Sequence, residues 1–227
     1  MPSRPPTPQH SPGPSSSSAE LVRVLRERIA GHQYTPGAKL AENDLAAEFG
    51  VSRARVREAF GTLESRGLIR RIPNRGAEVV RLDLSQMFAI YEVREMLEGL
   101  CVRRAVQNTK PAHWQDLVSL FGRPMADHVR RGEFAEYIAK LELLRRRTIE
   151  AAANPVLADM LDSINDKTRE IMRRIIILPG RANEGLRQHR AVIAAMRKGN
   201  AALAEKLKRE NIRSSRDFLE RFQGFIL

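Results

Sequence analysis

Residues 34–79 read YTPGAKLAENDLAAEFGVSRARVREAFGTLESRGLIRRIPNRGAEV, and this stretch decides the fold of the N-terminal part of the chain. A short amphipathic segment ends at Gly50, a residue type that commonly closes helices. Ser52 then stands at a position that suits a helix N-cap, so a second helix is expected to begin there. Its apolar residues share one face: Val56, Ala59, Phe60 and Leu63. Two helices joined by a tight glycine turn predict a helix-turn-helix.

Basic side chains follow on the same predicted helix. Arg53 and Arg57 lie four residues apart, so they share a face next to the apolar one, whereas Arg55 points elsewhere and is expected to make a backbone contact at most. Residues 51–76 hold seven arginines and two glutamates, a local excess of five positive charges (7 − 2). Such an excess suits phosphate neutralisation, although a solvated charged face is the alternative interpretation of these residues alone.

A hairpin is predicted directly after the helix-turn-helix. Residues 68–72 and 77–80 are rich in β-branched and apolar residues, and they flank the turn-forming tetrapeptide at 73–76. The hairpin would form a wing with Arg75 and Gly76 at its tip. Glycine would let the backbone approach a DNA groove closely, and Arg75 would enter the groove or pair with phosphate.

These residues resemble the winged helix of GntR-family regulators, whose signature runs P-G-x-x-L…L-A…G-V-S-R-x-x-V-R-E-A…L…G-L-(x)n-G. The resemblance implies that operator DNA is contacted by Ser52, Arg53, Arg57 and the wing tip at Arg75 and Gly76. Asn43 takes the position of an arginine that contacts DNA in one well-known member, so it joins the candidates. Arginine suits this role because its fork can bind guanine or phosphate through two hydrogen bonds.

The remaining sequence divides into a tail and a helical half. Residues 1–18 are rich in proline and serine and are predicted to be disordered, residues 19–82 form the winged helix-turn-helix domain, and residues 83–227 form a second domain. In the second domain, proline, glycine and asparagine interrupt long helical patterns. They predict an antiparallel bundle of about six helices over 84–107, 111–131, 133–152, 155–177, 182–198 and 200–223. The expected fold class is therefore mainly α, with a small β-hairpin wing.

The second half resembles the effector domain of the FadR-type, or FCD, branch of the GntR family. The resemblance rests on YEVREMLEGL at 91–100, AAANPVL at 151–157 and QHRAVIAAMRKGN at 188–200. It implies a domain that dimerises and binds a small metabolite, usually a carboxylate and often over a divalent metal. Six helices rather than seven would indicate the VanR-like subgroup.

The metal ligands of that branch are an aspartate, a histidine four residues later, and two further histidines. The corresponding positions here hold Leu141, Arg145, His189 and Asn211. One histidine of four ligands cannot hold Zn²⁺, which takes at least three protein donors. We therefore expect no metal and no other cofactor.

Four polar side chains nevertheless interrupt apolar helix faces: Arg94, Arg145, His189 and Asn211. Polar groups facing inward are costly unless they are satisfied. Three interpretations follow from the sequence: a buried network, for example Arg145 with Glu98; a pocket in which Arg94 and Arg145 clamp an anionic effector; or a retained metal.

Composition excludes or disfavours several functional classes. One cysteine excludes a disulfide framework and a multi-cysteine metal cluster, which fits a reducing cytoplasm. No apolar run approaches the roughly 20 residues that span a bilayer. The residues alone argue against an enzyme, because Cys101 lies on an apolar helix face and the sequence shows neither a Ser/His/Asp set nor a glycine-rich phosphate loop.

The sequence therefore predicts a cytoplasmic, homodimeric regulator that binds a near-palindromic double-stranded DNA operator. A small anionic effector would lower operator affinity by preferring the other arrangement of the protein. The net charge of +12 fits a polyanionic partner but is a weak argument by itself. The alternative is an effector-independent, architectural DNA-binding protein, which would show little difference between specific and nonspecific affinity.

Overall fold

A computed structural model describes residues 17–73 and 75–226 of the 227-residue chain. It divides into two compact units, the first ending at Arg81 and the second beginning at Leu82. Most of the predicted tail lies outside the described residues. Its last residue, Ser18, however, begins a helix, and Ser17 caps that helix, because the Ser17 hydroxyl accepts a hydrogen bond from the backbone N–H of Glu20 at 3.2 Å.

The first unit has the predicted helix-turn-helix and wing. Ser52 caps the second helix of the motif by accepting a hydrogen bond from the N–H of Arg55 at 3.3 Å. Gly50 ends the preceding helix with φ +61°, a left-handed conformation that glycine adopts at low cost. The elements in chain order are α1 (Ser18–Ala30), β1 (Lys39–Leu40), α2 (Glu42–Phe49), α3 (Arg53–Ser65), β2 (Ile69–Ile72) and β3 (Gly76–Val79).

The sheet has three antiparallel strands in the order β1-β3-β2. The hairpin strands pair with Ile69 opposite Val79 and Ile72 opposite Gly76, while Leu40 of β1 lies opposite Ala77 of β3. The sequence did not predict β1, because two residues are too few to show an alternating pattern. A closed apolar core joins helices and sheet: Leu21, Leu25, Leu45, Val56, Phe60, Leu63, Ile69 and Val79.

The second unit is wholly helical in its described residues and confirms the predicted mainly α fold. Asp83 begins it with a reciprocal capping box to Gln86, and Asn154 caps the helix in which Pro155 is the first residue, which agrees with the predicted helix start at 155. Its elements are α4 (Leu84–Asn108), a 3₁₀ turn (Pro111–Trp114), α5 (Gln115–Leu120), α6 (Arg123–Arg131), α7 (Phe134–Ala152), α8 (Pro155–Ile176), α9 (Arg181–Arg197) and α10 (Ala201–Ile226).

The predicted continuous helix over 111–131 is wrong. The chain leaves the helical conformation at Gly122, whose ψ is −128°. Arg190 of the later helix α9 bridges this break, since it donates from Nε to the Phe121 carbonyl and from Nη2 to the Gly122 carbonyl, both at 2.6 Å. Leu82–Ile226 therefore contain seven α-helices and one 3₁₀ turn. This number no longer favours the VanR-like subgroup, which stays a prediction.

Helix α4 packs against α7, α8 and α10. The largest fully buried side chains around it include Trp114, Phe121, Met125 and Tyr137. Burial of such aromatic and aliphatic groups is the main force that holds the bundle together. No helix among residues 17–73 and 75–226 combines the length and the apolar character needed to cross a membrane.

Candidate nucleic-acid interface and ligand cavity

The start of α3 presents a basic face to solvent. The side chains of Arg53 and Arg57 are 57% and 55% exposed, and Ser52, Arg55 and Asn43 are exposed beside or before them in the chain. The Ser52 hydroxyl is partly engaged, since it caps α3. The N-terminal turn of a helix with two outward arginines is the part of a helix-turn-helix that enters a major groove.

Both arginines meet a carboxylate that the sequence analysis did not single out. Arg57 donates from Nε to Oε2 of Glu42 at 2.8 Å, and Arg53 donates from Nη2 to the same oxygen at 3.4 Å. Partial burial opposes ionisation of Glu42, but the hydrogen bonds and charges of Arg57 and Arg53 outweigh it and lower the pKa of Glu42. Glu42 is therefore a charged acid within the basic face.

The wing is attached to α3 by Arg71. Its Nη2 donates to the backbone carbonyl of Arg57 at 2.7 Å, and its backbone N–H donates to the Glu64 carboxylate at 3.0 Å. Arg75 is exposed in the turn of the hairpin, where its N–H donates to the Ile72 carbonyl at 3.0 Å. Hydrogen bonds therefore tie the wing to the helix that carries Arg53 and Arg57.

Gly76 is required for a reason inside the protein. Its φ is +85°, and a Cβ atom there would lie 2.2 Å from the backbone oxygen of Leu40. The close approach that demands glycine is therefore the one between β1 and β3. A contact of Gly76 with a DNA groove stays a prediction.

The second unit encloses a cavity of about 130 Å³ among α4, α7, α8, α9 and α10. All four residues proposed from sequence as effector ligands line it: Arg94, Arg145, His189 and Asn211. A void of this order accommodates a molecule about the size of benzene. Five helices thus bring together side chains more than 110 residues apart in the chain.

Glu98 is the acid at one side of the cavity, and the predicted pairing with Arg145 is wrong. Its carboxylate is 2.5 Å from Nε of Arg94, one turn earlier on α4, and 2.6 Å from Nζ of Lys208 on α10. Arg145 instead lies 2.6 Å from Asp162 of α8. The i, i+4 spacing on one helix explains why Arg94 reaches Glu98 most directly. Burial opposes charge on Glu98, yet both cations together hold its pKa well below the usual range.

The cavity also contains a buried cation that forms no ion pair with any carboxylate of the described residues. Arg181, the first residue of α9, is 6% exposed, and no carboxylate of the described residues lies within ion-pair distance of it. It donates from Nη1 to Oε1 of Gln188 at 3.4 Å and lies over the Phe218 ring at 5.4 Å. Burial lowers the pKa of Arg181 from its ordinary value. Arg181 was not predicted as a cavity residue, because it falls between the helices predicted over 155–177 and 182–198.

His189 and Asn211 complete the polar lining. His189 is buried, and its Nδ1 has no hydrogen-bond partner among the described residues. Burial, reinforced by the positive charges of Lys208 and Arg181, lowers the pKa of His189 well below its ordinary value, so the ring is neutral at pH 7. Asn211 donates to Oε1 of Gln188 at 2.7 Å, the same oxygen that Arg181 approaches.

The described lining is strongly cationic. It contains six basic side chains and two acidic ones, a difference of four positive charges (6 − 2). Cys101 forms part of the same wall, and burial raises the pKa of its thiol to about 12. The basic residues are Arg94, Arg145, Arg169, Arg173, Arg181 and Lys208, and the acidic ones are Glu98 and Glu142.

The donor set does not fit a divalent metal. At the family's ligand positions, Leu141 offers no donor atom, Arg145 carries a positive charge, and His189 is the only histidine. Across residues 17–73 and 75–226, no three His, Cys, Asp or Glu side chains come together as a metal site would require.

Comparison with known proteins decides the family. The family model described as "Bacterial regulatory proteins, gntR family" matches residues 17–79, and the FCD domain model matches residues 89–214. The chain belongs to the GntR family and carries an FCD domain. In this GntR-family protein the first match covers the helix-turn-helix and wing, and the second covers the walls of the cavity.

Curated relatives of this GntR-family chain are named as regulators. An uncharacterized HTH-type transcriptional regulator, YdhC of Bacillus subtilis, is 26% identical over 194 residues, which cover 85% of this chain and 86% of that protein. The gluconate operon transcriptional repressor of B. subtilis is 39% identical over 93 residues, covering 41% of this chain and 38% of the repressor. The chain is accordingly a DNA-binding transcription regulator and not an enzyme.

Solved structures show the same fold. E. coli McbR/YncC superposes with a TM-score of 0.75 at 21% identity, covering 92% of this chain and 99% of that chain. A putative GntR regulator from Rhodococcus sp. RHA1 superposes with a TM-score of 0.68 at 19% identity, covering 92% and 98%. The winged helix followed by a helical bundle is thus a known arrangement of elements in this family.

Proposed function

We propose that this GntR-family regulator acts in the cytoplasm as a homodimer on a near-palindromic double-stranded DNA operator, and that a small anionic metabolite in the helical cavity changes its operator affinity. The observation that carries the effector part is Arg181, a buried cation in a cavity whose described lining has an excess of positive charge. The effector would bind without a metal or other cofactor.

The basic face of α3 supports operator binding. Arg53 and Arg57 project into solvent at the start of α3. In a helix-turn-helix, side chains at this position contact base edges. A guanidinium can donate two parallel hydrogen bonds to guanine O6 and N7. Arg75 on the wing would supply a further contact to phosphate or to the neighbouring groove.

An exposed apolar row on α4 supports dimerisation. Val93, Met96 and Leu100 are 53%, 55% and 40% exposed, and their spacing of three and four residues places them on one helix face. Leu203 of α10, the helix that packs beside α4, is also exposed. Contiguous exposed apolar groups favour contact with a second copy, and a two-fold axis would match a palindromic operator.

Charge in the cavity supports an anionic effector. A buried guanidinium without an acid partner is costly, and a bound carboxylate would satisfy it through short, charge-assisted hydrogen bonds. Arg94 and Arg145, which one of the three interpretations of the sequence made the clamp for an anion, already have Glu98 and Asp162 as partners. Arg181 is therefore the main anchor in this proposal, and the unpartnered Nδ1 of His189 offers a second polar contact.

Replacing Arg57 tests the DNA interface. Arg57→Ala should weaken operator binding by about 1–3 kcal/mol if the contact is to a base, while the melting temperature stays unchanged because the side chain is exposed. The probe is the duplex that the wild-type protein enriches from a randomised library, titrated at one fixed salt concentration alongside a scrambled duplex.

Arg23→Ala is the matched control for this test. It removes the same charge from the same unit, but Arg23 lies on α1 and pairs with Glu20 and Glu27 in solvent. Equal losses in the two variants would show only a general charge effect. Equal wild-type affinity for enriched and scrambled duplexes would favour the architectural alternative.

Thermal shift with small acids tests the cavity. Acetate, succinate, citrate and phosphate, with succinamide as the neutral control, should include an anion that raises the melting temperature of the wild-type chain. At a hundredfold excess over Kd the gain is about 2.7 kcal/mol, or roughly 5–10 °C. Arg181→Met should abolish the shift, and EDTA should leave it unchanged.

Arg187→Met provides the comparison, because Arg187 lies on the same helix but is exposed and paired with Glu184 at 2.6 Å. It should keep the shift. A shift that survives in Arg181→Met would remove Arg181 from the site. A shift that EDTA abolishes would show that a metal takes part.

A further inference from the structure

The hydrogen bond between Glu42 and Arg57 leaves the terminal nitrogens of the arginine available for a base. Glu42 accepts from Nε of Arg57 at 2.8 Å, so the two terminal nitrogens of the guanidinium are not used in this hydrogen bond. Those terminal nitrogens are a pair that can bind O6 and N7 of one guanine. The carboxylate of Glu42 thus binds Nε of Arg57 and not the two terminal nitrogens.

We propose that Glu42 is a positioning residue for base recognition: it fixes the guanidinium of Arg57 so that its terminal nitrogens face a guanine edge. The inference rests on the operator binding proposed above and goes further, because it assigns sequence discrimination to an acid that would not itself touch DNA. Arg53, which approaches the same oxygen at 3.4 Å, is held more loosely.

The position of Glu42 suits this role. It is the first residue of α2, where the positive end of the helix dipole favours a carboxylate, and its side chain is only 21% exposed. A fixed carboxylate restricts the rotamers of a long arginine side chain. The arginine then loses less conformational freedom when it binds, and it meets one base geometry better than others.

A carboxylate in this place also carries a cost. It lies among the arginines of a surface that approaches phosphates, so its charge opposes DNA binding of any sequence. Positioning therefore predicts two effects of opposite sign on removal of Glu42: nonspecific affinity rises, and the preference for the operator falls. If Glu42 only stabilised the helix dipole, its removal would raise the nonspecific affinity and leave the preference for the operator unchanged.

The test compares Glu42→Ala with Asp44→Ala in the full-length protein. Asp44 is an exposed acid in the same first turn of α2, so both substitutions remove one negative charge from the same helix end. The probes are the wild-type-enriched duplex and a scrambled duplex of equal length, at one salt concentration. Glu42→Gln is the conservative variant, since an amide oxygen can still accept from Nε of Arg57.

The ratio of specific to nonspecific affinity should fall about tenfold in Glu42→Ala, in line with the discrimination that one bidentate arginine contributes. It should fall less in Glu42→Gln and stay unchanged in Asp44→Ala. Library selection with Glu42→Ala and with Arg57→Ala should lose preference at the same base pair.

Two results would overturn the inference. One is an unchanged ratio in Glu42→Ala, with both affinities rising as they do in Asp44→Ala. The other is a fall in the ratio that persists when Glu42→Ala is made in the Arg57→Ala background. If the wild-type protein enriches no sequence at all, operator recognition itself fails, which is a separate outcome from failure of the Glu42 role.

Discussion

A Gly76→Ala variant should lose operator binding and destabilise the first unit by about 3 kcal/mol. The new Cβ would lie 2.2 Å from the Leu40 backbone oxygen, and φ at this residue is +85°, where L-residues are strained. Neither the carbonyl nor the backbone of a paired strand can move aside without breaking the β1–β3 pairing. Thermal melting and titration with the enriched duplex measure the two losses.

Gly50→Ala separates the clash from the dihedral strain. Gly50 also has a positive φ, +61°, but nothing lies within 4 Å of a Cβ placed there. It should therefore cost only about 1 kcal/mol, the ordinary penalty of a left-handed conformation. Equal stability of the two variants would show that the sheet accommodates a methyl group beside Leu40. Stabilisation by an anionic ligand should persist in both, because the cavity lies in the other unit.

Removing the charge of Glu98 should have the largest effect in the second unit. Glu98→Gln leaves Arg94 and Lys208 without the carboxylate that both contact, and breaking a largely buried ion pair in this way costs about 3–5 kcal/mol. The melting temperature should fall by roughly 6–20 °C. Glu92→Gln, an exposed change on the same helix, should leave it unchanged and serves as the control.

The same carboxylate gives the wild-type protein a dependence on acid. The folded state holds the pKa of Glu98 below its ordinary value of 4.5, so the carboxylate stabilises the fold fully above about that pH. Its contribution declines as the pH falls below 4.5. The difference in unfolding free energy between the wild-type protein and Glu98→Gln should therefore shrink between pH 6 and pH 3. A difference that is constant with pH would contradict this account.

Local signals explain why much of the fold was predictable from sequence. Helix caps and helix ends form hydrogen bonds within one helical turn, so they can be inferred without knowing what packs nearby. Examples are Gly50, Ser52 and Asn154-Pro155. Four polar residues of the cavity, Arg94, Arg145, His189 and Asn211, could be predicted for a similar reason, because each interrupts an apolar stripe at helical spacing. Lys208 had the same signal, since it lies four residues after Ala204 and three before Asn211.

Features that depend on distant partners were not predictable. Glu42 accepts a hydrogen bond from Arg57, which lies 15 residues later in the chain. The carbonyl of Gly122, at the helix break, accepts one from Arg190, 68 residues later. Strand β1 exists only because β3 pairs with it. Which of Arg94, Arg145 and Lys208 form ion pairs with Glu98 depends on how three helices pack. Each case requires tertiary distances, which sequence spacing alone does not contain.

The position of Cys101 in the lining of the cavity has a practical consequence for fluorescent labelling. Burial raises the pKa of the Cys101 thiol to about 12, so the thiol stays protonated at pH 7, and Cys101 is 3% exposed and the single cysteine of the chain. Maleimide dyes, which react with thiolates, would therefore bypass it in the closed bundle. A cysteine introduced on the wing or on α3 would carry a fluorophore at one defined place in otherwise native protein.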